Sequence, residues 1–145
     1  MYLTQHTDYA LRVLIYLGAN GDRLVTIAEV SERFDVSRSH LMKVANQLVR
    51  EGFVDGLRGK GGGLRLARAP AEINVGAVVR CMERGMNLVE CFGSDSHCLL
   101  TPNCRLKGVL GKALEAFLGT LDQVSLADLI DSPQRKVLQF TARTG

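Results

Sequence analysis

The stretch GLRGKGGGLRL, residues 56–66, holds five glycines in eleven positions. A helix does not tolerate glycine at that density, whereas alternating residues on either side of a glycine-rich tip make a two-stranded hairpin. What precedes the hairpin narrows the fold further. In TIAEVSERF, Thr26 and Glu29 have the spacing of a capping box, in which each side chain satisfies an orphan backbone donor of the other. Ile27, Val30 and Phe34 follow at helical spacing. Asp35 and Val36 make a short turn, and Ser37 can cap a further helix, RSHLMKVANQLVREG, that stops at Gly52. Its apolar stripe is Leu41, Val44, Ala45 and Leu48. Helix, tight turn, helix and hairpin in that order is the pattern of a winged helix-turn-helix.

Charge points the same way. The chain carries a net +3, but Ser37 to Leu66 alone carries +4 from Arg38, Lys43, Arg50, Arg58, Lys60 and Arg65 against Glu51 and Asp55. The remainder sums to about −1. A basic helix start beside a basic, glycine-rich tip suits a polyanion, because glycines let the backbone approach a phosphate or a narrow groove. The residues expected to meet DNA are Ser37, Arg38, Ser39 and His40 at the helix start, with Lys43 one turn further in, and Arg58 and Lys60 on the wing. Arg38 is expected on a guanine or a phosphate, Ser37 and Ser39 on the backbone, and the wing pair in or near the minor groove.

The fold class expected is mainly α: a winged helix-turn-helix with a two-stranded wing, plus a long C-terminal dimerisation helix. A first helix spans about Thr4 to Gly18, with Ala10, Leu11, Leu14 and Leu17 on one side. After Pro70, EINVGAVVRCMERG predicts one more helix with Val75, Val78, Val79 and Met82 apolar; Cys81 within it reads as a small buried hydrophobe. Thr101 and Pro102 form a cap and first-turn pair that opens a long helix to about Leu121. Leu106, Leu110, Leu114, Phe117 and Leu121 make an apolar seam along it, and a two-fold DNA site favours that seam as a homodimer interface. Ser125 caps a short last helix. The expected divisions are a DNA-binding domain over 1–80 (helix-turn-helix about 26–51, wing about 53–68), a helix end and cysteine loop over 81–104, the dimerisation and final helices over 102–131, and an irregular tail over 132–145. The N-terminal stretch has no basic n-region, and Asp8 and Arg12 interrupt its apolar run, so it reads as neither a secretory signal nor a membrane span. A cytoplasmic protein with no membrane partner is expected.

Three of the four cysteines, Cys91, Cys98 and Cys104, fall within fourteen residues rich in small and polar types. Gaps of six and five residues are wider than the two-to-four-residue knuckles of structural zinc. An iron–sulfur cluster accepts thiolates from a wrapping loop with wider gaps. Packed structural cysteines, or a thiol–disulfide switch between Cys91 and Cys98, are the competing readings.

LTQHTDYALRVLIYL, VSRSHLMKVANQL, LRGKGGGLRLAR and CLLTPNCRLKGVLGKALEAFL together resemble the Rrf2 family of winged-helix regulators, over roughly residues 1 to 130. The resemblance implies a homodimeric repressor in which three cysteines of each subunit hold one iron–sulfur cluster; matched position by position, these are Cys91, Cys98 and Cys104. It leans toward the nitric-oxide-sensitive members. A sister group adds a histidine three residues after the last cysteine, where this chain has Lys107. The nitric-oxide-sensitive members can instead draw an aspartate from the partner's N-terminal helix, and the matching residue is Asp8; Glu90 and His97 are local alternatives.

The function expected is therefore a non-enzymatic, DNA-binding transcriptional repressor on a palindromic operator. It would sense nitric oxide through a cluster, 4Fe-4S in preference to 2Fe-2S, and release DNA when the cluster is nitrosylated. A sensor of iron–sulfur status or of redox state in the same family is the alternative. A small metal- or thiol-redox protein is the alternative from another class, and the basic segment argues against it.

Overall fold

A computed structural model describes residues 3–85 and 105–130, and the architecture is mainly helical with one small sheet. Helix α1, Gln5–Ala19, is capped by Thr4, whose side chain accepts from the Thr7 amide at 3.3 Å. Ala10, Val13, Leu14 and Leu17 line its buried side, and Tyr16 is fully enclosed. Helix α2, Ile27–Phe34, starts at Thr26, which accepts from the Glu29 amide at 3.1 Å. The reciprocal half of the expected capping box is replaced. Glu29 turns to Arg23 and takes a two-pronged contact of 2.8 and 2.9 Å, because a guanidinium fork offers a carboxylate two charge-assisted bonds rather than one from an amide.

Asp35 ends α2 in the left-handed conformation (φ 54°), and Ser31 Oγ donates to the Val36 carbonyl, closing the turn. Helix α3, Arg38–Arg50, then begins at Ser37, whose Oγ accepts from the His40 amide at 3.4 Å. Its inner face is Leu41, Val44, Ala45 and Leu48, all buried as the spacing predicts. At its end Gly52 takes φ 81°, the Phe53 amide donates to Leu48 O and the Gly52 amide to Val49 O. That pair of bonds is a Schellman stop.

Strands β1, Val54–Leu57, and β2, Gly63–Leu66, pair antiparallel, with Val54 opposite Leu66 and Leu57 opposite Gly63. Val25, just before α2, bonds both ways to Leu64 and extends the hairpin by one bridge. A 3-10 turn, Pro70–Glu72, leads to α4, Val75–Met82, capped by Asn74. Val75, Val78, Val79 and Met82 are buried. Cys81 is half-buried against the core, and burial, helped by Glu51, pushes its thiol up.

Helix α5, Arg105–Asp122, packs against α4 yet buries none of its residues; Leu106 and Val109 stand largely in solvent. The expected cap at Thr101 and Pro102 lies outside the described residues. Gly76 lets α4 and α5 meet, since a Cβ there would overlap the Asp122 carboxylate, which pairs with Arg80. Helix α6, Leu126–Ile130, carries a complete capping box: Asp128 accepts from the Ser125 amide and donates its own amide to Ser125 Oγ. Sequence spacing groups α6 with the long helix, but Leu126 and Ile130 are buried in the main core against α1. Two backbone bonds, Val75 N to Val124 O and Leu126 N to Ile73 O, fasten this return. No helix among the described residues is long and apolar enough to cross a membrane.

Candidate nucleic-acid interface

The start of α3 is built to stand free. Leu41, Val44 and Leu48 anchor one face in the core, which leaves Ser37, Arg38, Ser39 and Lys43 exposed on the other. Ser37 Oγ and Ser39 Oγ lie 2.9 Å apart, so two hydroxyls and a guanidinium sit at the helix N-terminus, where partial positive charge favours an anion. His40, half-buried, makes contacts of its own: its ring is edge-on to Tyr9 of α1 at 4.8 Å and stacked 6.1 Å from His6. His6 and Tyr9 escaped sequence reasoning, since nothing in local spacing joins residues on two separate helices.

The wing tip carries Arg58 and Lys60, both exposed and without an ion pair among the described residues. Gly59 and Gly61 adopt φ 101° and 79°, and a side chain at Gly62 would overlap the Leu57 carbonyl. The tip is therefore restricted to glycine at these positions, and the two cations project from a compact turn. Arg65 differs: it faces Asp55 across the strands at 4.0 Å and is partly neutralised. Between α3 and the wing runs an apolar groove of about 390 Å³, with Met42, Val49 and Leu57 among its walls and Arg58 at its rim.

The cysteine site is placed only by its borders. Cys91, Cys98, Cys104, Glu90 and His97 all lie outside the described residues. No group of three or more potential metal ligands occurs among the described residues. Asp8 lies in the first turn of α1, about half exposed, and meets Arg12 one turn on at 3.0 Å. Its carboxylate is at the surface, where a second subunit could reach it. Lys107 sits on the first turn of α5, half-buried.

Glu83, just past α4, reaches the start of α1. Its carboxylate accepts from the Thr4 amide and hydroxyl and from the hydroxyl of the buried Thr7. The last described residues before the cysteine segment are thus fastened one residue away from Asp8.

This arrangement of a capped recognition helix, a two-stranded wing and a returning C-terminal helix has a family. The Rrf2 family of iron-dependent transcriptional regulators matches the chain over residues 3–132. The chain belongs to the Rrf2 family. Among Rrf2-related proteins, the HTH-type transcriptional regulator NsrR of Bacillus licheniformis is 50% identical over 132 residues, covering 90% of this chain and 92% of that one. NsrR of Bacillus subtilis is 45% identical over 136 residues, covering 92% and 93%. Among solved structures, T. potens IscR superposes with a TM-score of 0.71 at 25% identity, over 90% of this chain and 86% of that one. CymR, the global cysteine regulator of B. subtilis, superposes at 0.75 with 22% identity, over 91% and 98%, and so shares the fold. Rrf2 membership makes the chain a transcriptional regulator and not an enzyme.

Proposed function

We propose that the chain is a homodimeric repressor that holds a palindromic operator and releases it in response to nitric oxide. The observation that carries the reading is the pairing of two free cationic elements, the Ser37–Arg38–Ser39 helix start and the Arg58–Lys60 tip, on a chain half identical to an NsrR regulator over nine-tenths of its length. Two such units on a two-fold axis would meet half-sites about 34–36 Å apart. The seam of Leu106, Leu110, Leu114, Phe117 and Leu121 would supply the axis, since Leu106 is exposed and the other four are only half-buried within their own subunit. Burying such a stripe against its copy contributes about 25 cal/mol per Å² of apolar surface.

The donor set suits an iron–sulfur cluster, with three soft thiolates from Cys91, Cys98 and Cys104 and one hard carboxylate from Asp8 of the partner subunit. We take the cluster as 4Fe-4S, one per subunit. When bound it supplies iron, with which nitric oxide reacts. The chain's own residues do the rest. The cysteines hold the segment between α4 and α5, Asp8 links it to the partner's α1, and Glu83 links α4 to α1 of its own subunit.

The test is anaerobic purification followed by optical spectroscopy and operator binding, before and after stoichiometric nitric oxide. The visible absorption of the bound cluster should bleach together with loss of operator affinity. Operator binding that is indifferent to nitric oxide would overturn the reading. A structured two-iron spectrum would replace the cluster type alone, and a response to oxidant but not to nitric oxide would favour a redox sensor.

A further inference from the structure

Gln47 lies on the side of α3 that faces neither the core centre nor the exposed basic edge. It is half-buried, and both ends of its amide are engaged. The amide nitrogen donates to the main-chain carbonyl of Cys81 at 2.9 Å, near the end of α4. That carbonyl can only accept, so the orientation of the amide is determined, and its oxygen must face the other way. There it meets His6 Nε2 at 2.6 Å. An amide oxygen can only accept as well, so His6 must carry a proton on Nε2. The ring of His6 then stacks on His40, whose amide closes the Ser37 cap at the start of α3.

The result is one unbroken chain of contacts from the end of α4 through α3 and α1 to the start of the recognition helix. Cys91 follows ten residues after Cys81, so the α4 end is where any change in the cysteine segment first reaches the described fold. Glu83 fastens the same end to α1 by a separate route. Leu41 anchors the start of the recognition helix in the core, and the Gln47 chain is the side-chain route that reaches it from the end of α4.

We propose that Gln47 is a positioning residue that couples the cysteine-bearing segment to the DNA-reading end of α3, making operator affinity respond to the state of that segment. The proposal rests on the cluster-dependent repressor described above. It assigns to Gln47 no contact with DNA and none with the cluster. A shift at the Cys81 carbonyl rotates or releases the amide, the amide repositions His6, and His6 repositions His40 beside the Ser37 cap.

Two variants break the chain at Gln47. Gln47→Glu keeps the acceptor for His6 but cannot donate to Cys81, and Gln47→Leu removes both bonds at similar volume. The measured quantity is the ratio of operator dissociation constants for cluster-free and cluster-loaded full-length dimer, at one salt concentration. Coupling between sites is commonly about 5–150-fold, and both variants should reduce the wild-type ratio by about tenfold, or to unity where it is smaller. Their cluster spectra and nitric oxide reaction rates should stay those of wild type, which a general loss of structure would not allow. Wild-type ratios in both variants would overturn the coupling while leaving the repressor reading intact. A wild-type ratio of one would instead sink the repressor reading and the coupling with it. Ring-nitrogen resonances of His6 give a further test without any variant: the Nε2–H tautomer is expected, and Nδ1–H would break the chain.

Discussion

Glu83 and Thr4 are joined across 79 residues of sequence, the carboxylate accepting from the Thr4 amide at 3.3 Å and from its hydroxyl at 3.1 Å. The acceptor is supplied by another helix's end and satisfies a donor at the start of α1, where negative charge is favoured. Glu83→Ala removes both bonds and leaves the buried Thr7 hydroxyl without its acceptor. We expect a loss of about 1–2 kcal/mol, read from the midpoint of urea unfolding, with Glu83→Gln losing less. A midpoint equal to wild type would show that the contact adds nothing to stability.

Glu29 links acid sensitivity to the start of α2. Burial pushes its carboxyl up, but the hydrogen bonds and charge of Arg23, together with neighbouring Tyr16 and Arg33, outweigh that and hold it below the ordinary glutamate value. A depressed folded value means the stabilisation is present above the unfolded pKa, about 4.3, and is lost as pH falls through the folded one. Stability measured between pH 6 and pH 3, about the range this titration spans, should therefore fall more steeply in wild type than in Glu29→Gln. Equal slopes would assign the acid sensitivity to other carboxylates.

Lys60 and Arg65 make a matched pair of tests for the wing. Lys60 is exposed at the tip, whereas Arg65 faces Asp55 on the opposite strand. Lys60→Ala should weaken operator and random duplex alike and lower the salt slope by about 0.9 if it holds one phosphate. Arg65→Ala should change the slope less. Salt titrations of fluorescence anisotropy decide it, and a Lys60→Ala slope matching wild type would take the tip out of the interface.

Leu114 probes the arm. Leu114 is only half-buried in its own subunit and lies outside the main core, so Leu114→Glu should leave the winged helix folded. Across a two-fold axis the same charge would be desolvated without a partner, costing several kcal/mol, on the order of 3–5. Sedimentation should then show monomers and operator affinity should fall. A variant that stays dimeric would place the subunit contact elsewhere.

The helix-turn-helix and the wing were legible because their signals are local. Thr26, Ser37 and Gly52 cap or stop helices through bonds to residues three to five positions away, and Gly59 and Gly61 take positive φ in a turn that needs no distant partner. What stayed hidden depends on partners far apart in sequence. Glu29 sits at capping-box spacing but is taken by Arg23, a stronger donor arriving from the preceding loop. His40 has the address of a DNA-reading residue, and its ring contacts with His6 and Tyr9 on another helix have no local signal. Leu126 and Ile130 read as the end of an arm because nothing near them announces the bonds to Ile73 and Val75 that return them to the core. The thiols were conspicuous as residue types, but the proposed ligand set, drawn from a loop and a second subunit, would have no period for a sequence to display.

The return of α6 also determines how α5 can move. Its C-terminal end is clamped on both sides, by Val124 to α4 and by Leu126 to the strand-like segment at Ile73, while its other end begins one residue after Cys104. Eighteen residues at 1.5 Å each make a rod of about 27 Å pivoting on that clamp. A displacement of about 5 Å at the cysteine end then amounts to a swing of only about 10° at the pivot, by the geometry of a rod that length. A displacement at the end next to Cys104 would therefore reach the core only as a small rotation about the two backbone hydrogen bonds.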